Sequence, residues 1–189
     1  MTERDSVIFN ENDVEVFIDG GDCYYEFEIN ALNTIYEVFF IWEEAFARAG
    51  YAQMPEFDRN RAGVRSFPGV GFQAHPRGSR IGYWNWDFPG LRSAVYVDGT
   101  INNNQDRDRG WTVELALPWS GFRALATPDG RSLPPRHGDV WRMDFSRFNQ
   151  YKAAPPAEDS SGWAWSPHGV WDSHIPELFT HVHFSTEAV

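Results

Sequence analysis

Residues 13–30 constrain the fold more than any other stretch. Val14, Val16 and Ile18 alternate with Glu15, Phe17 and Asp19. Past Gly20 and Gly21 the alternation resumes, with Tyr25, Phe27 and Ile29 set against Tyr24, Glu26, Glu28 and Asn30. A period of two interrupted by a Gly-Gly pair predicts a β-hairpin. One face of that hairpin is apolar, and the other gathers at least four carboxylates. Like charges on neighbouring strands repel by about 0.2–1 kcal/mol per pair. Four things accommodate such crowding: solvent on an outer sheet face, a facing arginine, a bound cation or a polar ligand. Arg142 and Arg147, on a later strand, are the candidate facing arginines.

The rest of the chain reads as further short strands. Residues 34–42 are β-branched and aromatic almost throughout, which predicts a strand buried on both sides. Residues 43–49 have helical composition and end at Gly50. Residues 51–87 carry Pro55, Pro68 and Pro76 and no long periodic run, yet they are rich in aromatics. Disordered segments lack aromatics, so this stretch is predicted to be an ordered insertion packed across the rest. Strands are expected over 91–98, 111–117, 140–149 and 178–184, with a short helix near 119–126. Trp111 and Trp141 fall in phase with the apolar residues of their strands and are expected in the core. Short strands with turn signals and few helices predict an all-β fold. The expected form is an antiparallel β-sandwich, one domain over residues 1–189, with an insertion at about 43–87.

Charge and composition narrow the partners. The net charge of −11 disfavours nucleic acid or an anionic membrane, since both require a cationic surface. Cys23 is the single cysteine, so an internal disulfide and a cysteine-based metal cluster are excluded. No run approaches membrane-spanning length, and no signal-peptide pattern opens the chain. Nine tryptophans are more than one core needs, and exposed indoles stack on the C–H faces of sugar rings.

Five pieces in one order carry a family resemblance. They are residues 2–6 running into 12–19, then 25–31, 110–119, 138–147 and 163–168, with His174, Ile175, Pro176 and Glu177 downstream. In these the chain resembles carbohydrate-binding module family 9 and, more loosely, the DOMON-like β-sandwiches. The resemblance implies a jelly-roll-like sandwich that binds sugars without cleaving them. Such modules are often attached to glycoside hydrolases in polysaccharide degradation, and some members bind calcium. It places the stacking aromatics at Phe9 and at Trp163, Trp165 or Trp171. It places the hydrogen-bonding groups at Glu15, Glu28 and Asn30. Phe9 stands where members often have Trp, and Glu28 where some carry a basic residue. The strands that precede the hairpin in the family have no counterpart in this chain. That points to an upstream portion, and, for a piece of a longer protein, the resemblance implies an extracytoplasmic setting. It also points to an open sheet edge for a second copy or a neighbouring domain.

Other sites compete with this reading, as does a structural or interaction β-sandwich that holds no sugar. The loop over 98–110 is dense in oxygens, and Asp98, Asn102, Asn104, Asp106 and Asp108 are candidate calcium ligands. Its spacing is not that of an EF-hand, and a solvated turn is the simpler expectation. His168, His174, His181 and His183 are candidate transition-metal ligands. The resemblance to DOMON-like sandwiches, some of which hold haem between a Met and a His, makes Met143 a candidate haem ligand, but its phase with Trp141 and Phe145 assigns it to the core. Glu15, Glu28 and Glu114 are the carboxylates that a glycoside hydrolase would use as acid and base or nucleophile.

Overall fold

The computed structural model describes residues 1–71, 74–103, 105–150 and 160–187. In chain order its strands are β1 (Asp13–Asp19), β2 (Cys23–Asn30), β3 (Ile35–Trp42), β4 (Val64–Phe67) and β5 (Arg80–Tyr83). They continue with β6 (Arg92–Asp98), β7 (Gly110–Ala116), β8 (Val140–Gln150), β9 (Ser160–Ala164) and β10 (Thr180–His183). A single turn of α-helix, α1 (Arg123–Ala126), follows a 3-10 turn at Trp119–Phe122, where the sequence predicts a short helix.

The β1–β2 hairpin forms as its alternation requires, with Glu15 opposite Glu28 and Phe17 opposite Glu26. Gly21 turns the chain at φ 78°, a left-handed conformation that favours glycine. Gly20 is needed for space, since a Cβ there would lie 2.7 Å from the Leu125 carbonyl oxygen. The hairpin is the middle of an eight-stranded antiparallel sheet ordered β10-β8-β1-β2-β3-β5-β4, with β9 beside β8. Both of its outer sides are therefore paired, and the sheet's ends are formed by the short strands β10 and β4. The 51–87 region supplies β4 and β5, and β5 pairs with β3. It extends the sheet rather than only packing across it. Two four-residue strands rich in Arg, Ser and Gly leave too short a pattern for periodicity to reveal.

A two-stranded sheet, β6–β7, forms the second layer of this all-β, sandwich-like fold. Val95, Val113 and Leu115 on its inner side pack against a core of Val16, Ile18, Tyr25, Phe27, Phe39 and Trp141, among others. Phe122 and Leu125 close the same core beside α1. Full burial of each such side chain stabilises by about 1.5–3 kcal/mol. Met143 packs against this core as expected. Trp111 does not: it is half-buried near the end of β6–β7, next to the exposed 98–110 loop. The predicted helix over 43–49 is only a 3-10 turn at Glu43–Ala45 followed by turns. Among the described residues, no helix is long and apolar enough to cross a membrane.

The opposite face of the large sheet has a second, smaller apolar cluster built on Phe17, Tyr24, Phe40 and Trp42. Beside it lie the acidic side chains of the hairpin. They are buried, so the solvated outer face allowed by the sequence is not what forms. The 160–178 segment, the Ile8–Asn10 turn and the β4–β5 region rise around them.

Candidate functional site

These surroundings leave an open cavity of about 910 Å³ over the acidic face. Ligand clefts commonly span about 300–1,000 Å³. Its floor is the sheet itself. Glu15 comes from β1, Glu26 and Glu28 from β2, and Ser146 from β8. Glu15 is paired with Glu28 on one side and with Ser146 on the other, and directly paired residues share a face, so these groups converge without any special loop. One wall is aromatic, with Tyr36, Phe40, Phe67 and Trp84. Trp84 Nε1 donates to Tyr36 Oη at 2.6 Å, and its ring carries the Arg65 guanidinium at 3.9 Å. The facing wall holds Trp163, Trp171, Phe148 and His168. Phe9 stands at the rim, edge-on to Tyr36 at 5.5 Å. Phe9, Trp163 and Trp171 are 41%, 51% and 61% exposed, so their faces are available to a ligand.

The floor is electrostatically uncompensated. Burial pushes the Glu15 carboxyl up to about 7, although the hydroxyls of Ser146 and Ser173 partly offset this and Asp144 adds to it. Ser146 Oγ donates to Glu15 Oε2 at 2.9 Å. Burial holds Glu28 well above the usual carboxylate range, with the charges of Glu26, Glu15 and Asp13 adding. Glu26 is raised in the same way, by burial and then by Glu15 and Asp13. Glu28 Oε2 has no hydrogen-bond partner.

The cations that could neutralise this floor are engaged elsewhere. Arg142 binds Asp19 at 2.6 Å. Arg147 lies over the Trp163 ring at 5.7 Å. The buried Arg80 donates to Tyr24 Oη at 3.0 Å and to the carbonyls of Pro68 and His174 at 3.0 and 3.2 Å. His174 is held well below its usual range by burial and by Arg80, so it is neutral at pH 7. With Arg80 donating to Tyr24, the tyrosine proton is assigned to His174 Nδ1, 3.1 Å away. That assignment turns His174 Nε2–H toward Glu26 Oε1 at 3.4 Å.

The structure brings together Phe9, Glu15, Glu28, Trp163 and Trp171, and leaves out Asn30 and Trp165. Asn30 Oδ1 accepts from the backbone N–H groups of Leu32 and Thr34, both at 2.9 Å, and its Nδ2 donates to the Met1 carbonyl. Its amide is consumed in shaping the β2–β3 turn. Trp165 lies past the end of β9 and packs edge-on against Phe145 at 5.3 Å, away from the cavity. Glu114 is exposed on the other sheet and far from partnering Glu15 or Glu28. The oxygens of Glu15 and Glu28 approach within 4.8 Å.

The other sequence candidates fall elsewhere. Asp106 accepts from Thr100 Oγ1 through both oxygens at 2.9 Å, and Asp108 Oδ1 accepts from Thr100 N–H at 2.7 Å. Asp98 Oδ2 lies 3.8 Å from Arg109, and Asn102 holds a left-handed φ of 57°. These groups cap their own loop, and Asn104 lies outside the described residues. His168 and His174 border the cavity, whereas His181 and His183 are exposed on β10, so the four do not form one cluster.

Sequence reasoning missed Glu26, Ser146, Trp84 and Asp13. Asp13 is fully buried, one register step beyond Glu15, and its carboxylate reaches within 4.8 Å of those of Glu15 and Glu28. Strand parity could have found Asp13 and Glu26, since both share the phase of Glu15 and Glu28.

No family model matches the chain, and no curated protein matches it. Among solved structures it is similar to a chain from Bacteroides uniformis described as a "putative carbohydrate-binding protein", at 15% identity and a TM-score of 0.47. The match covers 97% of this chain, which spans 66% of the length of that one.

Proposed function

We propose that the cavity binds a carbohydrate and that this chain is a non-catalytic binding module. The observation that carries this reading is the pairing of an exposed aromatic rim with a floor of buried oxygen acceptors. Phe9, Trp163 and Trp171 offer flat faces to sugar C–H groups, while Glu15, Glu28 and Ser146 meet hydroxyls below. A few placed polar groups within an aromatic cleft is how small polar ligands are commonly held. The reading agrees with the sequence resemblance to carbohydrate-binding module family 9. In that family such modules accompany polysaccharide-degrading domains, and this is the setting we propose here. A ligand hydroxyl donating to Glu28 Oε2 would partner an atom that is otherwise orphaned, which favours hydroxyl-rich ligands over apolar ones.

Titration with soluble mono- and oligosaccharides, followed by tryptophan fluorescence, tests the reading. A saturable change with at least one sugar is expected, together with no release of reducing ends from polysaccharide. Silence across the panel would contradict sugar binding, and product release lost in Glu15→Gln would make the chain an enzyme.

A further inference from the structure

We propose that Asp13, Glu15 and Glu28 form a site for one hard divalent cation, calcium in particular, beneath the floor of the cavity. The three carboxylates converge from two paired strands, and one oxygen of each lies within 4.8 Å of the others. Oxygens on opposite sides of a calcium ion are about 4.6–5.2 Å apart, twice the usual bond length. One ion can therefore touch all three. The donors are all carboxylate oxygens, which suit calcium better than metals that prefer nitrogen or sulfur.

A cluster of acids alone would not make this case, since acids crowd without a ligand on many protein surfaces. Here Asp13 is 0% exposed and Glu28 1%, and both oxygens of Asp13 and Oε2 of Glu28 lack a hydrogen-bond partner. Buried carboxylates are normally paired or ligate a metal. The fold supplies such pairing elsewhere. Glu37, also 0% exposed, pairs with Arg4 and accepts from Tyr25 Oη at 2.9 Å and Phe88 N–H at 2.7 Å. Among the described residues, no arginine, lysine or histidine forms an ion pair with Asp13, Glu15 or Glu28. The Phe148 amide, outside hydrogen-bond geometry, and the Arg147 charge offset the burial of Asp13 only in part, as the Phe9 amide does for Glu28. A divalent ion is the compensation that this set of oxygens lacks.

Glu15 and Glu28 line the cavity, so an ion reaches the site from it, with Asp13 behind them. Ser146 Oγ orients Glu15 by donating to Oε2. Calcium takes about six to eight oxygens, which leaves positions for water or ligand hydroxyls.

The test is a calorimetric titration of calcium chloride into the full chain after treatment with EDTA. One saturable site per chain is expected. Asp13→Asn and Glu28→Gln should each weaken it at least about tenfold, while the double change Asp106→Asn with Asp108→Asn should leave it unchanged. Asn and Gln are close in shape to the acids they replace, and circular dichroism checks the folds. Glu15→Gln replaces either variant that fails to fold. Absence of saturable binding by the unaltered chain would overturn the proposal. So would binding that survives both Asp13→Asn and Glu28→Gln, or binding lost only in the Asp106 and Asp108 double variant. A sugar titration in EDTA tests the carbohydrate reading separately, so either can fail without the other.

Discussion

The β1–β2 hairpin presents Val16, Ile18, Tyr25 and Phe27 to one side and Glu15, Glu26 and Glu28 to the other, and both sides are buried. On the first, a second sheet and α1 close the layer, and apolar atoms satisfy one another. Even the acid on that side, Glu37, is met by an arginine, a tyrosine hydroxyl and a backbone amide. On the second, the walls stand apart and the acids are left with few partners. The difference teaches that burial and satisfaction are separate properties. A folded chain has access to both solutions for a buried carboxylate, and here it uses each on a different face of the same sheet. Function commonly occupies the face where stability has been given up.

The largest effect should come from breaking the finished face. Phe27→Ala is expected to destabilise by about 3–5 kcal/mol, read from urea unfolding. The same measurement on the acidic face should move the other way. In EDTA at pH 8, Glu28→Gln should stabilise by about 1–3 kcal/mol, because it removes a buried carboxyl whose charged form has no partner.

The pH dependence sharpens this contrast. Asp13 is pushed up to about 8, first by burial and then by Glu15, and Glu15 itself to about 7. The groups around them are Glu26, Glu28, Asp144, Asp172, His168 and His174, with Arg147 and Arg80 as the nearby cations. A carboxyl raised in the folded state binds more protons there than when unfolded. Its contribution is present below about pH 4, the ordinary carboxylate value, and is lost as pH rises through 7 to 8. The metal-free chain should therefore melt at lower temperature at pH 8 than at pH 5, with a shallower fall in Glu28→Gln. A melting temperature that rises over that range would contradict the account of the acidic face.

Smaller effects separate the aromatic rim from its surroundings. Trp163→Ala should weaken sugar binding about tenfold, equivalent to about 1.4 kcal/mol, and change stability by less than about 0.5 kcal/mol. Trp165→Ala, two residues on, should change sugar affinity less than about twofold, because its ring packs on Phe145 outside the cavity. Affinity measured by fluorescence titration, with thermal melts alongside, checks both.

These pairs also show how far the sequence was legible. Period-two alternation around Gly20 and Gly21 was enough to put Glu15 and Glu28 on one face, and the phase of Trp141 placed it in the core. The same alternation includes Asp13, Glu26 and Asn30, but parity gives a face and not a fate. Asn30 shares it and spends its amide on the turn, because it is the last residue of β2. Trp163 and Trp165 lie beside Arg147 and Phe145, two residues apart on β8, so alternation puts them together, yet only Trp163 is far enough along the strand to border the cavity. Trp84 and Arg80 come from or beside a four-residue strand, too short for any periodic signal. Whether the acidic face would be wet or covered depended on segments distant in sequence, among them Phe9 and Trp171, which no local pattern connects to the hairpin.

The most direct test of the central claim is tryptophan fluorescence of the unaltered chain against a panel of soluble sugars, run in calcium and in EDTA. The account predicts a saturable change with at least one sugar, lost or much weakened in Trp163→Ala and kept in Trp165→Ala. No saturable change with any sugar under either condition, or an unchanged response in Trp163→Ala, would contradict it.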